Sequence, residues 1–119
     1  MPSATIDRNA LNNLLTMFSG DTDFLMQVID TYLSDAANLL NTIRRSAHGG
    51  QADELRRAAH SLKSNSDNLG ATELAALCRE LEELGKNGSV VGASDRLDDL
   101  ETEFEKVKAE LKALQEKGL

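Results

Sequence analysis

The sequence predicts an all-α fold, an antiparallel up-down four-helix bundle with an additional short N-terminal helix. Three observations predict it. Leu and Ala dominate the periodic segments, only 3% of the 119 residues are aromatic, and Pro2 is the sole proline, which is helical composition. Apolar residues return at steps of three and four along successive segments. Turns of a few residues, most carrying glycine, separate those segments, and short connections make consecutive helices antiparallel neighbours.

The first helix is expected over about 7–18, with Leu11, Leu14, Leu15 and Phe18 on one side. Ser19-Gly20-Asp21 breaks it, with Gly20 as a C-terminal cap. The second, over about 21–48, opens near Asp21 or Thr22 and closes at His48-Gly49-Gly50. Its stripe is Leu25, Ile29, Tyr32, Ala36, Leu39 and Ile43, and Met26, Leu33 and Leu40 widen one edge, suited to the first helix or to a partner protein. The third, over about 52–69, buries Leu55, Ala58, Ala59, Leu62, Ser66 and Leu69 and ends at Gly70. The fourth, over about 72–84, turns Leu74, Leu77, Cys78, Leu81 and Leu84 inward, and Gly85-Lys86-Asn87-Gly88 is the next turn. The fifth, over about 89–116 with Ser89 or Ser94 as cap, alternates Leu97, Leu100, Phe104, Val107, Leu111 and Leu114 against a solvated face of Glu101, Glu105, Lys108 and Lys112. Residues 116–119 are expected to fray. No repeat or low-complexity segment interrupts residues 1–119, which read as one domain.

A net charge of -7 argues against a nucleic-acid partner and against an anionic membrane surface. No apolar run reaches transmembrane length, and the opening residues carry no signal-peptide pattern. One cysteine excludes an internal disulfide and suits a reducing compartment. The expectation is a cytoplasmic domain.

His60 carries the functional signal. It lies roughly 140° round the helix from the Leu55/Leu62/Leu69 stripe and so points outward. Arg56 and Lys63 stand four residues before and three after it, on the same face. Ser64, one turn on, is small and leaves one side of the ring open. An exposed imidazole beside cations suits a nucleophile that holds a phosphoryl group. The ordinary alternative is a surface histidine without chemistry.

The other candidates read as structural. His48 at a helix C-terminus is favoured by the helix dipole. Cys78 lies between Leu77 and Leu81 as a small core residue. No His or Cys pair has metal-ligand spacing, so no metal is expected. Gly85-Lys86-Asn87-Gly88-Ser89 lacks the spacing and preceding strand of a phosphate loop, and no nucleotide site or other cofactor is expected.

Ala59-His60-Ser61-Leu62-Lys63, then Leu69-Gly70-Ala71, then Leu74, Cys78 and Leu81-Glu82 resemble the histidine phosphotransfer (HPt) domain of multistep two-component signalling. Gly20-Asp21-Thr22-Asp23-Phe24-Leu25 is similar to the start of that family's first long helix, so the resemblance covers nearly the whole chain. It implies that His60 accepts a phosphoryl group from a receiver-domain aspartate or a kinase and passes it to another receiver. It implies that Lys63 lies close to the phosphate and that Glu82 hydrogen-bonds the other ring nitrogen. Lys86, one turn after Glu82, matches a basic position in some members. Ser64 departs from the family's usual glycine, where a partner approaches closely. Asp67 shares the His60 face and is placed to pair with Lys63 at i, i+4.

The resulting expectation is a monomeric phosphoryl carrier without kinase activity of its own. Its partners are receiver domains or a sensor histidine kinase, with Mg²⁺ supplied by the receiver. They dock around His60 and the neighbouring edge of the second helix. Three alternatives stand beside it. One is the dimerisation and phosphoacceptor region of a sensor kinase, disfavoured because Ser61 stands where an acidic residue normally follows the histidine. Another is a helical module that binds receivers without phosphotransfer. The third is the phosphoacceptor domain of a chemotaxis-type kinase.

Overall fold

The structure, a computed structural model, describes residues 5–118. Five helices follow in order: α1 (Arg8–Met17), α2 (Thr22–His48), α3 (Ala52–Asn68), α4 (Thr72–Lys86) and α5 (Ala93–Lys117). Helices α2 to α5 form the antiparallel bundle, each packed on its sequence neighbour and α5 returning against α2, while α1 folds back onto α2. The long dimension of the molecule is 43 Å. A helix of α2's length spans about 40 Å, so α2 sets the bundle's length.

The stripes read from the sequence form the core. Leu25, Ile29, Tyr32, Ala36 and Ile43 of α2, Leu55, Ala58, Ala59 and Leu62 of α3, and Leu97, Leu100, Phe104, Val107, Leu111 and Leu114 of α5 are buried together. Asp21 caps α2 by accepting from Phe24 N at 3.0 Å, which satisfies one of the helix's free amides. The α3–α4 turn is held by Gly70, whose φ of +83° few side chains tolerate. Its carbonyl accepts from Asp7 N at 2.8 Å, which ties the segment before α1 to this turn.

Several expectations are corrected. In α2 it is Leu40 rather than Leu39 that is buried. The Met26 edge packs on the core, and Gln115 of α5 donates to Met26 O at 3.1 Å. Gly85 is no turn residue: α4 continues to Lys86 and buries Gly85 against α3. The fifth helix begins at Ala93 rather than near 89, because Gly92 at φ 84° marks its start. Ser89 instead accepts from Val91 N within its own turn, and Ser94 lies inside the helix. The expected fray begins too early, since α5 runs to Lys117; Leu119 lies outside the described residues. No helix among the described residues is long and apolar enough to cross a membrane.

Candidate functional site

Three side chains from two helices meet on the exposed face of the α3–α4 seam. His60 projects from the middle of α3 with its side chain 57% exposed. Its position is dictated from beneath, since Ala59 and Leu62 on either side are fully buried. Glu82 arrives from α4, where Cys78, Leu81 and Gly85 turn inward and leave position 82 at the edge of the buried face. Its Oε2 lies 2.7 Å from His60 Nδ1, and its Oε1 accepts from Lys63 Nζ at 2.6 Å. Glu82 and Lys63 are far less exposed than His60, at 17% and 20%. One carboxylate thus bridges a cation and an imidazole, with the outer edge of the ring facing solvent.

The electrostatics settle the direction of the imidazole contact. The Lys63 ammonium hydrogen-bonded to Glu82 holds that carboxyl below the usual carboxylate range, against partial desolvation and with help from His60. An ionised carboxylate only accepts, so Nδ1–H of His60 donates to it. A neutral ring with its proton on Nδ1 carries its lone pair on Nε2, away from Glu82.

The remaining sequence-derived site residues are not gathered here. Lys63 pairs with Glu82 and not with Asp67, because α4 brings its carboxylate to the lysine across the seam while Asp67 stays exposed. Arg56 directs its guanidinium to Asp53, one turn back, with Nη2 to Oδ1 at 2.9 Å, rather than to the ring. Ser64 is exposed one turn beyond His60. Lys86 is exposed in the last turn of α4 and has no ion pair among the described residues.

The structure adds what the sequence did not show. An open groove of about 600 Å³ runs between α1, α2 and α3, with an apolar lining that includes Leu14, Met17, Phe24, Val28 and Leu69. Met17 is 74% and Phe24 45% exposed, although Phe18 meets the Phe24 ring edge-on at 4.6 Å. Asn65 and Asn68 of α3 continue the wall from His60's helix, and Asp35 adds a carboxylate. The signal was present in Met17 and Phe24, apolar residues outside the predicted stripes. Tyr32 also lines the groove, and its Oη and Ser66 Oγ form a buried hydrogen bond of 2.8 Å. Cys78 is buried as expected, and burial, reinforced by the charges of Asp67 and Glu82, pushes its thiol up to about 12.

Comparisons with known proteins agree with this geometry. A family model described as Hpt domain matches residues 27–116. The phosphorelay intermediate protein YPD1 of Saccharomyces cerevisiae is 29% identical over 87 residues, 72% of this chain and 52% of that protein, so the match spans about half of that relative's length. The crystal structure of histidine-containing phosphotransfer protein B (HptB) from Pseudomonas aeruginosa PAO1 is similar with a TM-score of 0.90 at 29% identity, covering 99% of this chain and 100% of that one. The HPT domain of a sensor hybrid histidine kinase from Shewanella shares the fold, with a TM-score of 0.75 at 18% identity over 98% of each chain.

Proposed function

The chain belongs to the Hpt domain family, and from that premise we propose that it is a phosphoryl carrier of two-component signalling, with His60 as the phosphoacceptor. The observation that carries this reading is the exposed imidazole whose Nδ1 sits on the Glu82 carboxylate. Nε2 attacks the phosphorus of a receiver's aspartyl phosphate. The N–P bond forms as the P–O bond to the aspartate breaks, and the aspartate leaves as a carboxylate. The ring becomes cationic while it still holds its Nδ1 proton, and Glu82 stabilises that charge at short range. Transfer to the next receiver reverses these steps.

Lys63 supports the transfer twice. It keeps Glu82 ionised in the resting state, and it stands one turn from His60, within reach of phosphoryl oxygens whose charge the transfer must stabilise. Lys86 and Arg56 add longer-range positive potential, and Ser64 leaves space for the approaching partner. The receiver brings the divalent cation and acidic pocket. Its docking site is the His60 face together with the apolar groove of α1, α2 and α3, a small apolar patch ringed by polar groups. The domain acts as a cytoplasmic monomer on receiver domains or a sensor histidine kinase.

The test is transfer from a radiolabelled, phosphorylated receiver to the native chain and to His60→Gln. Acid-labile, base-stable label on the native chain alone supports the carrier reading. Receiver binding with no label from several active donors overturns it in favour of a phosphorylation-independent binding module.

A further inference from the structure

We propose that Gly85 is a positioning residue for the His60 centre, setting the α3–α4 separation that lets Glu82 reach the imidazole. The proposal rests on the phosphotransfer reading for its kinetic consequence and on geometry for its structural one. Gly85 is buried in the last turns of α4, three residues after Glu82. A Cβ there would stand 2.5 Å from Ala52 O, 2.8 Å from Arg56 N and 2.9 Å from Arg56 Cβ. Two of those three atoms are backbone, so no rotamer change relieves the crowding. Arg56 is one turn before His60 on α3. The place where the backbones approach most tightly at Gly85 therefore lies one turn from both partners of the imidazole–carboxylate contact.

Helix propensity alone would favour alanine over glycine at an interior helical position. Glycine here serves the close approach instead. Restoring ordinary contact between an added Cβ and Ala52 O means widening 2.5 Å to 3.4 Å, a retreat of about 0.9 Å. Applied to the 2.7 Å contact between Glu82 and His60, the same retreat gives about 3.6 Å, outside hydrogen-bonding range. Nδ1 then loses its fixed proton, and the tautomer with Nε2 free is no longer enforced.

The experiment compares native protein, Gly85→Ala and Leu111→Ala, the last a core change in α5 remote from the site. Each is examined by circular dichroism, by ¹⁵N NMR of the His60 ring and by single-turnover transfer from a phosphorylated receiver. The expected result is a folded Gly85→Ala with a mixed-tautomer imidazole. Its transfer should be slowed about 10- to 100-fold, the scale for an ångström of misplacement, with receiver affinity retained. Leu111→Ala should lose stability yet keep the native tautomer and rate. A folded Gly85→Ala with the native ring signal and native rate overturns the proposal. If Gly85→Ala does not fold alone, it is examined beside native protein in trimethylamine N-oxide, which strengthens burial, and its ring signal and rate decide. A native tautomer and rate in that variant overturn the proposal, and loss of both supports it. A native chain that takes no label overturns the carrier reading instead, while the ring signal still reports on the spacing.

Discussion

Ser66→Ala should destabilise the bundle more than Tyr32→Phe, although the two changes break the same hydrogen bond. Tyr32 Oη and Ser66 Oγ lie 2.8 Å apart, and the residues are 5% and 0% exposed. Burial raises the phenol to about 12, outweighing the favourable bond from Ser66. Without the serine hydroxyl the phenol keeps no partner among the described residues, and a buried polar group stranded in this way costs about 1–3 kcal/mol. The serine has a fallback when the phenol hydroxyl is removed, since a helical serine can turn to the carbonyl four residues back, here that of Leu62. Tyr32→Phe should therefore cost about 0.5–1.5 kcal/mol, the net value of an ordinary hydrogen bond. The double variant leaves two apolar groups in contact, so the cycle should show a coupling of about 1 kcal/mol. At about 2.1 cal/mol/K per residue, a chain of this length shifts its Tm by about 4 °C per kcal/mol. Thermal unfolding should thus drop by about 4–12 °C for Ser66→Ala and about 2–6 °C for Tyr32→Phe, with the double variant near Ser66→Ala. Strict additivity, or a larger loss for Tyr32→Phe, would refute the reasoning.

Three further outcomes follow from the same geometry. Glu82 is held below its ordinary value of 4.5, so its stabilising contribution is present above that pH and disappears as pH falls through the lower folded value; acid unfolding curves of native protein and Glu82→Gln should converge at low pH. Cys78, with its thiol near 12, is about 10⁻⁴ thiolate at pH 8, so iodoacetamide should modify it only through unfolding, and labelling as fast as that of free cysteine would contradict its burial. Met17→Asp should leave stability within about 0.5 kcal/mol of native, as surface changes do, or about 2 °C in Tm; receiver affinity measured by calorimetry should fall about tenfold or more, because a charge is placed in the apolar groove proposed to dock the receiver.

The outward direction of His60 was legible because it depends on one helix alone: Leu55, Leu62 and Leu69 mark the inner face, and 3.6 residues per turn does the rest. The same arithmetic failed at Gly85. Glycine beside Lys-Asn-Gly reads as a turn, and only the passage of α3 within contact distance explains its place inside α4. It also misassigned Lys63, whose neighbour at i, i+4 is Asp67 but whose actual partner comes from another helix. Glu82 was named through resemblance to a family, since nothing in the spacing of residues 60 and 82 says that they touch.

By itself, then, the sequence determined the all-α class, the order of the helices, most core residues and the exposure of His60. Each of these follows from local periodicity, capping and turn chemistry, which act over a few residues. Only the tertiary structure decided how His60, Lys63 and Glu82 share protons and charge, how Tyr32 reaches Ser66, and where α1 leaves an apolar groove open. Those depend on the separation and rotation of packed helices, set by which side chains fit between them, and no single helix's pattern contains that distance.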